Sequence, residues 1–411
     1  MQILISQIQE IIEILSNPTT LMTIILYLLL IVFLWHLLLY IFRDRKYIKT
    51  SKKSVDTIKI TIDDLFELPL VNFIIPAWKE GNYFKECLFS ITKLSYPNIK
   101  VIINAGGDDE TIKIADSFKK HKNFKILRQM GGKSRAAFGK IRALNECLDY
   151  VSEGLTYFID ADCYVTDDIL IRIIYPIINK NEDVVISTYR PLKSQQNKDL
   201  IKYLQINRFV VLRGEIKQYS TKMVSGSSTC ITFKVLKAIG KFNENRMIAE
   251  DYSRGYDMTS KGFKIYSLTD YQSRMYSAYP DTLKEYLIQR KRHIENSLLL
   301  SYKRKDSKYF LKFFIMTFIS LYFFIMPFLI LVHFGLFLMG FIFLFYIYLI
   351  RIRRYLFFKG IVDREYYARF QIFFFIKMIF YIFLELLTNV ITFCSLFSFI
   401  RKLKKEKNHE N

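Results

Sequence analysis

Three stretches of this chain are too long and too apolar to sit inside an ordinary water-soluble domain. Leu21 to Phe42 is an almost uncharged run of the length needed to cross ~30 Å of hydrocarbon. Phe313 to Ile350 is long enough for two spans that turn near His333-Phe334-Gly335, with Pro327 in the first. Ile372 to Ile400 forms a third apolar block, which carries Lys377, Glu385 and Asn389 on nearly one helical face. Ionisable groups at such depth face either a bundle interior or a wet path, or pair with one another. These blocks account for a hydrophobic content of 51% in a chain of 411 residues. Glu10 and Glu13, not a basic run, precede the first span, so no cleavable signal peptide is expected.

The charges follow the same plan. Lys and Arg number 60 against 38 Asp and Glu, a net charge of +22. Arg43, Arg45, Lys46 and Lys49 follow the first span, which assigns that flank to the cytoplasm by the positive-inside rule. Lys303, Arg304, Lys305 and Lys308 precede the second block, and Arg351, Arg353 and Arg354 open a basic loop after it. Positive charge placed beside spans suits anionic inner-leaflet lipid; nucleic acid would require it along one soluble face. If the third block crosses fully, the basic tail from Arg401 to Lys407 ends outside, against the rule. The block is therefore read as transmembrane or re-entrant. The five cysteines show no zinc or redox spacing and read as reduced, packed thiols.

The predicted order is an amphipathic interfacial helix over 1–18, a transmembrane helix over 19–42 and a linker over 43–69. A cytosolic domain over 70–282 follows, then interfacial helices over 283–312 and two transmembrane helices over 313–350. A basic loop over 351–371, the third block over 372–400 and a basic tail over 401–411 complete it. Between Leu70 and Asp168 apolar strands alternate with helices: strands at Val71–Ile75, Lys100–Ile103, Phe124–Leu127 and Leu155–Ile159, helices at Asn82–Leu94, Glu110–Lys120 and Arg135–Val151. That alternation predicts an α/β fold with a doubly wound, mostly parallel sheet. Val184–Thr188 is expected to add a strand, Leu200–Tyr219 a helix, and Leu283–Lys303 a helix leading to the membrane.

Chemistry gathers where the Leu155–Ile159 strand ends, in Asp160-Ala161-Asp162. Two carboxylates at i and i+2 on an extended chain point the same way and can share one hard cation, Mg²⁺ or Mn²⁺, with a phosphate. An Asp-rich turn is the alternative. Upstream stand Pro76-Ala77-Trp78-Lys79-Glu80 after the first strand, and Asn104-Ala105-Gly106-Gly107-Asp108-Asp109, a Gly-rich turn opening a helix. Gly139-Lys140-Ile141-Arg142-Ala143-Leu144-Asn145 places cations on the helix before the acidic strand. Downstream come Glu250-Asp251 and then Gln289-Arg290-Lys291-Arg292-His293 at the membrane.

In this order, and flanked by spans, these pieces resemble the family 2 glycosyltransferases. More specifically, they resemble the membrane-embedded synthases related to poly-N-acetylglucosamine, hyaluronan and cellulose synthases. The resemblance covers about Leu70 to Asn296 and implies a GT-A-like fold. It implies donor contacts from Pro76, Glu80, Asp109, Lys140, Asp160, Gln289 and Arg292, and a metal on Asp160 and Asp162. It makes Asp251 the general base, with Glu250 beside it in the catalytic pair. Two positions depart from the pattern: Ala105 stands where a carboxylate usually meets the nucleotide base, and His293 replaces a tryptophan that usually touches the acceptor sugar. Asp251 as a helix cap, and Gln289 to His293 as a basic membrane anchor, are the structural alternatives.

The resemblance implies an inverting, metal-dependent transfer from a nucleotide-sugar donor, most simply a UDP-sugar, to a growing polysaccharide at the cell membrane. The catalytic domain then faces the cytoplasm, and there is room for an accessory subunit. A lipid-linked acceptor, polyprenyl phosphate or a glycolipid, is the second reading. A degenerate scaffold subunit of another synthase is the third.

Overall fold

The computed structural model of the chain describes residues 17–51, 60–129, 136–211, 219–220, 224–243, 250–268, 272–303, 307–361 and 372–394. The expected interfacial helix over 1–18 falls almost wholly outside these residues, as do the tail over 401–411 and much of the basic loop. Two compact units are present. One comprises Met1–Lys52 with Leu287–Asn411, the other Lys53–Tyr286.

In chain order the elements are α1 (Pro18–Ser51), β1 (Val71–Trp78), α2 (Asn82–Thr92), β2 (Ile99–Gly106), α3 (Asp109–Ser117), β3 (Phe124–Arg128), α4 (Ala136–Leu148) and β4 (Leu155–Phe158). Next come β5 (Cys163–Tyr164), α5 (Asp167–Lys180), β6 (Val184–Ile186), β7 (Tyr189–Pro191), α6 (Asp199–Val211), β8 (Tyr219–Ser220), β9 (Thr229–Thr232) and α7 (Phe233–Ile239). The last are α8 (Glu250–Ser260), β10 (Ile265–Ser267), β11 (Met275–Ser277), α9 (Leu283–Lys303), α10 (Ser307–Leu329), α11 (Phe334–Ile361) and α12 (Ile372–Cys394).

Eight strands form one sheet in the order β3-β2-β1-β4-β9-β6-β10-β8. β1 pairs in parallel with β2 and β4, and β2 with β3, as strands joined by helical crossovers must. β1 reads Val-Asn-Phe-Ile-Ile-Pro-Ala and is buried on both faces, the pattern of a central parallel strand. Its alternate residues feed two cores. Phe73 and Ile75 pack with Phe84, Leu88, Tyr157 and Ile173 on one side; Ile74 packs with Ile102, Leu144 and Ile231 on the other. Cys87, Cys147, Cys163 and Cys230 are free and buried in these cores, as expected of packed thiols.

Two details depart from the sequence reading. β9 runs antiparallel to both β4 and β6, because Ser225-Gly226-Ser227-Ser228 turns the chain into it from the opposite direction. The helix expected over Leu200–Tyr219 is described only to Val211, and Tyr219–Ser220 pairs antiparallel with β10. A second sheet, β5-β11-β7, lies beside Asp162. Its end is pinned by Gln195, whose amide donates to Tyr83 Oη (3.1 Å), the Tyr279 carbonyl (2.9 Å) and Asp281 (2.9 Å) and accepts from Tyr279 N (2.9 Å).

In the other unit, four stretches are long and apolar enough to cross a membrane: Pro18–Arg45, Phe310–Leu329, Phe334–Lys359 and Phe373–Ile391. The chain turns between α10 and α11 at Ile330–His333, close to the His333-Phe334-Gly335 expected. α1 packs on α11 through a Phe33–Tyr346 stack (4.2 Å between centroids), a hydrogen bond between His36 and Tyr346, and a buried Asp44–Arg353 ion pair (3.0 Å). On α12, Glu385 meets Arg351 at 2.8 Å and Arg290 at 3.8 Å, and Asn389 donates to Ser320 at 3.2 Å. Glu385 and Asn389 of the last apolar block thus cross-link helices.

Gln195 is 2% exposed, so its replacement strands several groups that water cannot reach. Gln195→Leu is expected to cost about 2–4 kcal/mol, from unpaired buried groups at about 1–3 kcal/mol each. Thermal unfolding of the detergent-solubilised protein reads this out; an unchanged midpoint would remove Gln195 as the pin.

Candidate active site

The carboxyl ends of β1, β2 and β4 converge on one edge of the sheet, where open α/β sheets place their ligands. β1 leads into Lys79, which adopts a left-handed conformation (φ 56°) and hydrogen-bonds from its N–H to the Gly106 carbonyl at 3.1 Å. Gly107 (φ 94°) lies against it: a Cβ there would meet Lys79 Cγ at 2.8 Å and Trp78 Cδ2 at 2.9 Å. The two glycines of the turn let the β1 and β2 loops touch. Thr111 completes the join, accepting from Glu80 N (2.7 Å) and donating to the Glu80 carbonyl (3.0 Å), while Asp108 caps α3 through Thr111 N (2.9 Å). Asp109 stands in the first turn of α3 and is exposed. Ala105 is buried in β2, within the core.

Lys140 holds the centre. α4 carries it across the carboxyl end of β4, where its ammonium lies 3.0 Å from Asp160 Oδ1 and 2.7 Å from Glu250 Oε1. Burial lowers its pKa, but Asp160, Glu250 and Asp251 together outweigh burial and hold it well above the usual lysine value. Asn145, one helical turn on, anchors α4 by donating to the Phe242 carbonyl (2.9 Å) and accepting from Phe242 N (2.8 Å).

The carboxylates differ in state. Burial pushes Asp162 up to about 7, helped by the negative charges of Asp160 and Glu80; Lys140 and a 3.4 Å hydrogen bond from Ser277 only partly offset this. Glu80 is raised by burial and by Asp160 and Asp108. Asp251 sits inside the first turn of α8, not at its cap. It too is pushed to about 7, first by burial; Lys140 pulls it down, Glu250 and Asp160 push it up, and the Gly226 N–H pulls it down. Burial is the first cause for each of these three carboxyls and nearby carboxylates add to it, a surplus of negative charge that a bound divalent cation would relieve. Asp160 and Asp162 supply the hard oxygen donors such a cation takes.

Asp251, Asp160, Lys140 and Pro76 line one pocket, together with Gly226 and Arg254. Sequence reasoning singled out the first four and missed the last two. Gly226 is detectable in retrospect as the glycine of a Ser-rich turn before a β-prone run. Its role is spatial: a Cβ there would fall 2.6 Å from Asp251 Oδ2. Gln289, Arg292 and His293 stand on α9 in the unit that contains the apolar helices; Arg292 and His293 are exposed and Gln289 is half-buried.

Gly226→Ala is therefore expected to displace the Asp251 carboxylate while leaving β9 paired, lowering turnover about 100-fold, the scale of an ångström-sized misplacement. Circular dichroism and turnover on the same preparation test this; wild-type turnover would mean that Asp251 is not held by the turn.

Residues 69–296 match the profile of the family described as glycosyltransferase like family 2, which is more than half of the chain. Among curated proteins, poly-beta-1,6-N-acetyl-D-glucosamine synthase of Staphylococcus epidermidis is 25% identical over 201 residues, 47% of this chain and 47% of that protein. Processive diacylglycerol beta-glycosyltransferase of Mycoplasma genitalium is 26% identical over 192 residues, 46% of this chain and 54% of that protein. The match thus spans about half the length of these relatives. A solved mannosyltransferase of Pyrobaculum calidifontis, in complex with GDP-Man and Mn²⁺, superposes with a TM-score of 0.46 at 17% identity, covering 68% of this chain and 76% of that one. The chain belongs to the glycosyltransferase like family 2.

Proposed function

We propose that the protein is an inverting, metal-dependent glycosyltransferase of the membrane that moves a sugar from a nucleotide diphosphate donor to a growing polysaccharide. The observation that carries this is the Lys140-centred cluster of Asp160, Asp162, Glu250 and Asp251 at the carboxyl edge of the sheet. Asp160 and Asp162 are the residues that would hold Mg²⁺ or Mn²⁺; when bound, the cation neutralises charge on the departing diphosphate. Pro76, Glu80 and Asp109, on the loops after β1 and β2, belong to the donor side, as do Lys140 and Asp160. The family resemblance assigns Gln289 and Arg292 to the diphosphate and His293 to the acceptor. Asp251 removes the proton from the acceptor hydroxyl as that oxygen attacks the sugar carbon opposite the leaving group, with Glu250 and Lys140 positioning it. Four helices long and apolar enough to cross a membrane support a multi-pass membrane enzyme, and the positive-inside rule applied to the basic flanks of α1 and α11 supports a cytoplasmic catalytic domain.

A non-processive transfer to a lipid-borne acceptor keeps the same chemistry; Arg254, discussed below, and the His293 departure favour keeping it as the second reading. Ala105 is the one support for a scaffold role, and the intact carboxylate cluster argues against it.

Purified protein in lipid, given a panel of UDP- and GDP-sugars with Mn²⁺, is expected to release nucleotide with at least one donor; silence with every donor would leave the scaffold. Product length then separates polymer from single addition. Asp251→Asn should abolish transfer with donor affinity nearly intact, and Asp162→Ala should weaken metal-dependent donor binding.

The pH profile follows from the state of Asp251. As a base it must be ionised, and its carboxyl is raised to about 7. At saturating metal, kcat/KM should therefore be flat above about pH 8 and fall about tenfold per pH unit well below 7. A profile level down to pH 5 would exclude a base with this pKa.

A further inference from the structure

α8 carries a second polar group into the pocket, one turn after Asp251. Arg254 is 3% exposed, and its Nε, Nη1 and Nη2 make no hydrogen bond among the described residues. A guanidinium has five N–H donors in a planar fork, and burying it unmatched is costly. Its one close neighbour of matching chemistry is the Phe242 ring, 4.2 Å away. That stack uses the flat face of the group and leaves the fork in its plane open. Burial lowers its pKa to about 10, with Asp257 one turn on acting to raise it, so it stays a cation at neutral pH. It shares the pocket with Gly226 and Asp251.

A buried cation with no hydrogen-bond partner among the described residues, set in a cleft, suits a ligand that brings the acceptor oxygens. Lys140 is already engaged by Asp160 and Glu250, and the carboxylates that would hold the donor's metal lie on its side of the pocket. Arg254 instead lies on the helix of Asp251, three residues on, so the two share a face.

We propose that Arg254 sets acceptor specificity: its fork binds an oxyanion, phosphate or carboxylate, carried by the acceptor near the hydroxyl that Asp251 deprotonates. This rests on the transferase reading above and sharpens it, since the acceptor becomes an anionic one. A phosphodiester lipid and a uronate-bearing glycan present the same chemistry. Both put a planar or tetrahedral oxyanion a few bonds from a sugar or glycerol hydroxyl, matched bidentately by arginine.

Two measurements on the full chain test it. In the first, wild type, Arg254→Met and Arg254→Lys are compared with four acceptors: phosphatidylglycerol vesicles, diacylglycerol vesicles, a hexuronate oligosaccharide and a neutral N-acetylhexosamine oligosaccharide. Wild type should favour one anionic acceptor over its neutral counterpart, and which one identifies the source of the oxyanion. Arg254→Met should raise the KM for that acceptor about 10- to 100-fold, the size of a lost charge-assisted pair, with Lys recovering part of it and the donor KM moving less than about twofold. A preference for neutral acceptors, or a rise in the donor KM instead, overturns the proposal. In the second, thermal unfolding is followed with and without inorganic phosphate. Without phosphate, Arg254→Met should unfold at a higher temperature than wild type, because an unpaired buried charge has been replaced by an apolar chain. Phosphate should raise the wild-type midpoint and leave that of the variant unmoved. A lower midpoint for Arg254→Met with an undiminished phosphate response would make Arg254 a structural stack on Phe242, and the proposal would fail. Should no donor be consumed while phosphate protection still depends on Arg254, the transferase reading fails and the anion site stands.

Discussion

One ammonium, that of Lys140, keeps the centre of this protein together. The carboxyl edge of the sheet gathers Glu80, Asp160, Asp162, Glu250 and Asp251 from three separate parts of the chain. Left alone, such a cluster would repel itself or take up protons. Among the described residues, Lys140 is the one cation within salt-bridge reach of both the turn after β4 and the start of α8. α4, which carries it, is in turn tied by Asn145 to Phe242, in the segment leading to α8. The clustered carboxylates therefore have their geometry set by a cation from within the fold, while Glu80, Asp162 and Asp251 retain a raised proton affinity. A dication and a substrate proton are the natural claimants on that surplus charge.

Much of this was legible from residues alone. The alternation of apolar strands and amphipathic helices from Leu70 to Asp168 dictates a parallel sheet, because each run is too apolar to be left half-exposed and each helix must cross over to let the next strand lie alongside. The i, i+2 carboxylates after β4, and Lys140 one helix earlier, were readable because strand and helix periodicities fix where their side chains point. The later half was less so. β9 is four residues long and shows no pattern that separates parallel from antiparallel pairing, so its direction depends on the turn before it. The helix expected over Leu200–Tyr219 takes in the first residue of the Tyr219–Ser220 strand, because two residues of edge strand leave no periodic trace. Gly226 and Arg254 escaped notice for another reason: their significance is a distance to Asp251 across the fold, and nothing local in the sequence encodes it.

The apolar helices show a related economy. Polar groups within them recur as cross-links: Asp44 with Arg353, Glu385 with Arg351, Asn389 with Ser320. In hydrocarbon each such group would be costly alone, so pairing them both satisfies the groups and fixes which helices are neighbours. The family profile ends at residue 296, before the last three apolar helices, so these contacts belong to a part of the chain outside that match.

The antiparallel course of β9 reaches beyond strand pairing. Because it runs against β4, the loop entering β9 arrives at the same edge of the sheet as the loop leaving β4. The parallel strands β1 and β4, with α4 between them in the chain, thus supply one set of pocket residues, and the entrance to β9 with α8 supplies another. Each set is encoded by its own continuous stretch of gene. Substitution in the Ser225–Ser228 turn and the first turns of α8 can therefore reshape the second set while leaving the residues of the first in place.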